Sequence, residues 1–141
     1  SDCNDPLERQ TIQRSLSLVL PAEFIGSHIG PPRAHTTGRR HSLAFRCATA
    51  LFGHLGVEWN VLSLDERERE RLAGYIALHQ RFRSLLHSGD VVRFGRDYQQ
   101  IDAKKGEYMR VSAVDAPNGT VVTVTPRAAP EAAATPAPVA T

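Results

Sequence analysis

Ser1-Asp2-Cys3-Asn4-Asp5 sets two carboxylates around a thiol just ahead of a helix start. A carboxylate on a loop before a helix can reach a ligand in an α/β fold, where the C-terminal ends of the strands carry the chemistry. Asp5 precedes Pro6, so its simplest role is to cap that helix by accepting backbone N–H bonds. Asp2 stands too early to cap well, and for it a functional role and a local structural one both stay open. Neighbouring carboxylates raise a thiol pKa, which argues against a reactive thiolate at Cys3.

A second group lies on residues 21–41, where His28, His35 and His41 are interleaved with Arg33, Arg39 and Arg40. The histidine spacings of seven and six residues match no helical ligand pair, and no CxxC accompanies them. Histidines that bond locally or touch a substrate are the better reading, and no metal or cofactor is expected. The arginines could hold a phosphate, but such residues more often pair with carboxylates inside the fold. Glu58 and Trp59 could border a sugar site or simply pack. Cys47 falls on an apolar helix face as a buried, inert thiol. His79 falls in an apolar stripe as a core histidine with one satisfied hydrogen bond.

These groups need elements to hold them. Residues 5–15 read as a short helix, and the apolar run Leu16, Leu18, Val19, Leu20, ended by Pro21, reads as a buried strand of a parallel sheet. Residues 21–41 hold three prolines and three glycines and read as one long loop. Residues 42–53 read as a helix with Leu43, Cys47, Ala50 and Leu51 on one face. Ser63 and Glu66 suggest a capping box for a long helix over about 64–87, whose apolar face is Leu72, Tyr75, Ile76, His79, Phe82 and Leu86. Its other side, "DERERERL", is a solvated charged face. Strands are expected at 91–94, 107–114 and 118–125, with Asn118-Gly119 as a hairpin turn. The Ala/Pro-rich stretch 127–141 has too little to bury and is expected to be disordered.

Bulk properties narrow the field. The chain has 141 residues and a formal charge of +2, from 17 Lys and Arg against 15 Asp and Glu. That balance gives no electrostatic case for nucleic acid or a membrane surface, and the arginines alternate with glutamates with little aromatic surface beside them. Two cysteines make no disulfide framework and suit a reducing compartment, here expected to be the cytoplasm. The chain begins directly at a helix cap and without an initiator methionine, which sets the expectation of a piece of something longer.

Several blocks in order resemble one family. "SDCNDPLERQTIQR", "LPAEFIGSHIGPPRAHTTGR", "SLAFRCATALFGHLGVEWN" and "SGDVVRF" are similar to the C-terminal part of the catalytic domain of bacterial family 36 glycoside hydrolases, the α-galactosidases or melibiases. Ser1, Asp2, Asp5 and Arg9 match the family pattern Trp-x-Ser-Asp-x-x-Asp-x-x-x-Arg, whose tryptophan would precede Ser1. Gly26, His28, Pro31, His35, Thr37, Gly38 and Arg39 match Gly-x-His, then Pro, then His-x-Thr-Gly-Arg. Phe52, Gly53, Gly56 and Glu58 match Phe-Gly-x-x-Gly-x-Glu. The resemblance covers about residues 1–94 and fades from Gly95.

The resemblance implies an α/β fold: the last helix–strand units of a (β/α)8 TIM barrel over 1–89, the diverged start of an all-β C-terminal region over 90–126, and the tail over 127–141. It implies a retaining hydrolase releasing terminal α-linked galactose. Asp2 takes the place of the acid/base, and Ser1, Cys3, His28 and Arg39 fall among substrate-binding positions. Retention needs a second carboxyl group about 5–5.5 Å away as nucleophile. No stretch here matches the family's Lys-Trp-Asp nucleophile motif, and a whole barrel takes roughly 250 residues. The partners expected are therefore a galactoside and the rest of the catalytic domain, with oligomers possible in the parent enzyme, and the chain alone is expected to be inactive. The long helix is then expected to pack on barrel strands outside the chain. The alternative is a non-catalytic module that binds a carbohydrate or a protein.

Overall fold

The computed structural model describes residues 3–88 and strand segments at 91–93, 98–104, 107–116 and 119–128. Helix α1 spans Pro6–Leu16. Asp5 caps it as expected, its Oδ1 accepting the Leu7 N–H at 2.9 Å, and proline fills the first turn. Glu8 in the first turn and Arg14 in the last complement the helix dipole. The face that α1 buries is polar: Arg9 and Gln13, one turn apart, point inward.

The run after α1 is not a strand. Leu18, Val19 and Leu20 donate back to Ser15 and Leu16, so the chain winds on as turns until Pro21 stops it. Leu18 and Val19 stay 71% and 78% exposed. An apolar run bounded by proline has the composition of a buried strand, but here the helix end supplies the hydrogen-bond acceptors that a sheet would otherwise provide. The strand comes later, inside the stretch read as loop: β1 spans Gly26–Ile29, with Ser27 and Ile29 buried and Gly26 and His28 outward.

Helix α2, Leu43–Ala50, crosses from β1 to β2, His54–Val57, which pairs with β1 in parallel. This is a βαβ unit, the form that parallel pairing requires. Ser42 caps α2 by accepting the Phe45 N–H at 3.2 Å. Two glycines permit the close approach of β2 to β1. A Cβ on Gly53 would lie 2.5 Å from the Ile25 carbonyl oxygen, and one on Gly56 would lie 2.6 Å from the His28 ring.

Helix α3 spans Glu66–Ser88. Its cap is Asp65 rather than Ser63: Asp65 Oδ1 accepts the Glu68 N–H at 2.7 Å, while the Ser63 hydroxyl donates to Asn60 O within the preceding 3-10 turn. A carboxylate gains more than a hydroxyl from the positive end of the helix. Within the described residues α3 also has partners of its own. Leu72, Tyr75 and Ile76 pack with Ile29, Leu43 and Cys47, and Phe82 and Leu86 pack with Phe45, Leu51 and Phe52. Almost every α2 side chain is therefore buried between two apolar clusters.

Strands β3 (Val91–Arg93), β4 (Tyr98–Lys104), β5 (Glu107–Ala116) and β6 (Gly119–Ala128) form an antiparallel sheet in sequence order. The expected strands at 91–94, 107–114 and 118–125 correspond to β3, β5 and β6, whereas β4 has too polar a sequence to show. Asn118 of the expected hairpin turn and residues 129–141 of the expected tail lie outside the described residues, although β6 itself runs past Pro126 to Ala128. Proline is tolerated there because β6 is an edge strand.

Cys47 is fully buried, and burial pushes its thiol up to about 12. A thiolate at neutral pH is thus strongly disfavoured. Native protein treated with iodoacetamide should carry no label at Cys47, and the same treatment in guanidinium should alkylate it fully. Mass spectrometry of the digested protein reads the difference. His79 behaves as the sequence suggests: it is buried, its Nδ1 lies 3.0 Å from Leu51 O, and burial lowers its pKa.

Candidate functional site

Asp2 and Ser1, the acid/base and one substrate-contact position implied by the family pattern, lie outside the described residues. The site is built from Cys3 onward. Asn4 is buried, and its side-chain oxygen accepts the His35 N–H at 3.1 Å and the Thr36 hydroxyl at 3.3 Å. The Cys3 thiol and the Thr36 hydroxyl are 3.7 Å apart. The segment ahead of α1 is thereby laid along the His-x-Thr-Gly-Arg stretch.

Asp5 does more than cap. It is fully buried, and its Oδ2 accepts a short hydrogen bond from the Thr37 hydroxyl and a 3.1 Å bond from Arg39 Nη1. His41 Nε2 lies 3.2 Å from Asp5 Oδ1, outside good hydrogen-bond alignment but close enough for charge attraction. Burial works to raise the Asp5 pKa. The bonds from Thr37 and the Leu7 N–H, with the electrostatic pull of His41 and Arg39, outweigh it and hold the carboxyl below its usual range. Gly38, at φ 75°, makes the left-handed turn that brings Thr37 and Arg39 onto the same carboxylate. Arg39 also reaches Glu8 Oε1 at 3.1 Å, and Glu8 first, then Asp5, holds its guanidinium above its ordinary value.

The loop histidines go to different places. His28 is half-exposed at the C-terminal end of β1, its Nδ1 3.6 Å from Glu58 Oε2. His35 engages Asn4 through its backbone, and His41 stacks on Phe45 with ring centroids 5.1 Å apart. Among the described residues no three His, Cys, Asp or Glu side chains are grouped to hold a metal. Trp59 is partly buried against the second core cluster and receives the Arg46 guanidinium 4.4 Å from its ring centroid. Arg46 itself donates to Gly30 O at 2.6 Å.

Sequence reasoning noted Arg9 only as a motif match, and the structure makes it a junction. Its guanidinium donates to Cys3 O by a short bond, to His28 O at 2.7 Å and to Glu58 Oε2 at 3.5 Å. Cys3, His28 and Glu58 thus meet at the end of the sheet where β1 and β2 finish. The available signal was a charged residue one turn after the cap and one turn before Gln13, on a stripe that had to face a strand. Gln13 completes that stripe, its Nε2 donating to Ser27 Oγ at 2.6 Å, while its Oε1 is buried without a partner among the described residues. A small cavity beside it is lined by Arg9, Ile12, Gln13, Leu16, Phe24, Ile25 and Gly26.

Comparison with known proteins places this geometry. The family model described as Melibiase matches residues 1–89. An α-galactosidase of Escherichia coli is 48% identical over 89 residues, which is 63% of this chain and 13% of that protein. The α-galactosidase AgaA of Geobacillus stearothermophilus is 31% identical over 113 residues, 80% of this chain and 15% of that one. The crystal structure of that GH36 α-galactosidase matches with a TM-score of 0.77 at 26% identity, over 84% of this chain and 18% of its own. A variant of AgaA solved in complex with raffinose matches with a TM-score of 0.75 at 25% identity, covering 82% of this chain and 17% of that chain. This chain therefore spans only about an eighth to a sixth of the length of these relatives. With the family model covering residues 1–89, the chain belongs to the melibiase family of glycoside hydrolases.

Proposed function

We propose that residues 1–89 are the C-terminal helix–strand units of the (β/α)8 catalytic barrel of a retaining α-galactosidase, and that they bring its acid/base, Asp2. The nucleophile then lies on a strand N-terminal to Ser1, and residues 90–126 begin a C-terminal β-region. The observation that carries this reading is the Arg9 junction. It gathers the segment next to Asp2, the end of β1 and the residue after β2 at the C-terminal ends of parallel strands, where barrel enzymes hold their sites. Parallel strands are normally covered on both faces and flanked by neighbours. Among the described residues this pair has open outer edges, an unmet Gln13 acceptor and an exposed apolar segment at Leu18–Phe24.

In the first step the Asp2 carboxyl protonates the glycosidic oxygen while the nucleophile's carboxylate attacks the anomeric carbon. In the second, the Asp2 carboxylate takes a proton from water as that water displaces the enzyme from the sugar. In this reading Cys3 and His28, on which Arg9 converges, contact the galactose, and Arg39 acts on the same region through its hold on Asp5. The substrate class, a terminal α-linked galactose, follows from the relatives' names and the raffinose complex. The two thiols suit a cytoplasmic setting.

The test uses 4-nitrophenyl α-galactoside. The 141-residue chain alone should give no turnover, and the full-length protein that carries it should give ready turnover. Hydrolysis by the isolated chain that Asp2→Asn abolishes would contradict the division of the site. A full-length protein that binds galactosides without cleaving them would favour the non-catalytic module instead.

A further inference from the structure

We propose that Arg9 is a positioning residue for the acid/base carboxyl, an inference that rests on the assignment of Asp2 above. Arg9 is only 5% exposed, yet its one anionic partner among the described residues, Glu58, is 3.5 Å away with a side chain 58% exposed. A guanidinium stays protonated wherever it is placed. Most of its compensation here comes from two backbone carbonyls, Cys3 O and His28 O. A buried cation serving only stability is poorly explained by this arrangement, because an apolar side chain of similar size usually serves as well or better.

What the planar fork supplies is alignment. It fixes, from one rigid group, segments 6, 19 and 49 residues away in sequence. Along the pre-helix segment, Asp5 is held by Leu7, Thr37 and Arg39, and Asn4 by His35 and Thr36. The Cys3 carbonyl is held by Arg9, and Cys3 is the residue bonded to Asp2. Arg9 therefore fixes the carbonyl of the residue that follows the acid/base and ties it to the strand end that carries His28. A lysine keeps the charge but has no fork, so it cannot satisfy Cys3 O, His28 O and Glu58 in one geometry.

The experiment compares kcat/KM of the full-length protein on raffinose and on 2,4-dinitrophenyl α-galactoside. This parameter reports the first chemical step, and the dinitrophenolate leaves without a proton whereas the sugar alkoxide needs one. The ratio of the two values is independent of the fraction of protein that is folded. Arg9→Lys is expected to lower the value for raffinose about 10- to 100-fold and to lower the raffinose-to-dinitrophenyl ratio about tenfold. Asp2→Asn should lower that ratio further. If Asp2→Asn leaves the ratio unchanged, the acid/base assignment fails and this proposal with it. If Asp2→Asn collapses the ratio but Arg9→Lys leaves it at the wild-type value, Arg9 is merely structural and the proposal alone is overturned. Should Arg9→Lys yield no folded protein, Arg9→Gln decides, since it removes both the buried charge and the fork to Cys3 O and His28 O. Its ratio should fall in the same direction, and a wild-type ratio overturns the proposal.

Discussion

Asp2→Asn in the full-length protein is expected to reduce galactose release from raffinose by about 10²- to 10⁴-fold, the range typical of a lost general acid/base. Initial rates measured enzymatically as free galactose check it. The expectation follows from the chemistry of retention, in which one carboxyl group both gives and takes the proton. An amide at that position keeps the shape, but its N–H protons are far too weakly acidic to be delivered and it cannot take a proton from water. A loss of only a few-fold would show that Asp2 lies near the reaction without acting in it. In the segment that follows Asp2, Cys3 O is bonded to Arg9 on α1, and Asn4 and Asp5 are bonded to the 35–39 stretch.

Asp5→Ala is expected to cause the largest loss of stability, about 3 kcal/mol, from the lost α1 cap and the charge-assisted hydrogen bonds of a buried carboxylate whose partner Arg39 is half-exposed. The carboxylate is fully buried and faces Arg39, His41, Thr37 and the Leu7 N–H. Removing it deletes the α1 cap and releases the 33–41 stretch from the helix. Thermal unfolding of the 141-residue chain followed by circular dichroism should show a midpoint lower by roughly 10 °C or more. The sign of the pH dependence can be fixed as well. The folded pKa of Asp5 lies below the ordinary carboxyl value of 3.8. Its contribution is therefore complete above about 3.8 and is lost as pH falls through the lower folded value. Asp5→Asn should remove that acid-limb dependence, and a variant as acid-sensitive as the parent would contradict the assignment.

Much of this was legible in the sequence, for reasons that differ by element. Helix α3 showed because Leu72, His79 and Leu86 repeat at helical spacing along 23 residues, although its cap is displaced from Ser63 to Asp65. Asp5 showed because proline after an acidic residue is a helix start in itself. Strand β1 did not, because its buried positions are Ser27 and Ile29 in only four residues, and serine carries no apolar signal. Ser27 is buried because Gln13 donates to it, and a polar pair between two elements leaves no periodic trace. The apolar run at Leu16–Leu20 misled for the converse reason, since composition cannot tell a buried strand from an exposed helix end. Arg9 was visible as a letter in a pattern and invisible as a junction, because two of its three partners are backbone carbonyls. The order of the motif blocks revealed the family before any of these contacts was known.

Asp2 is proposed as the acid/base of a double-displacement galactosidase. Azide rescue of Asp2→Gly in the full-length protein, with 2,4-dinitrophenyl α-galactoside as donor, tests it most directly. The activated donor should still load the nucleophile, and azide, which needs no general base, should then restore turnover and release α-galactosyl azide, as proton NMR of the anomeric signal would show. No rescue, or release of β-galactosyl azide, would contradict the account, the latter by making Asp2 the nucleophile.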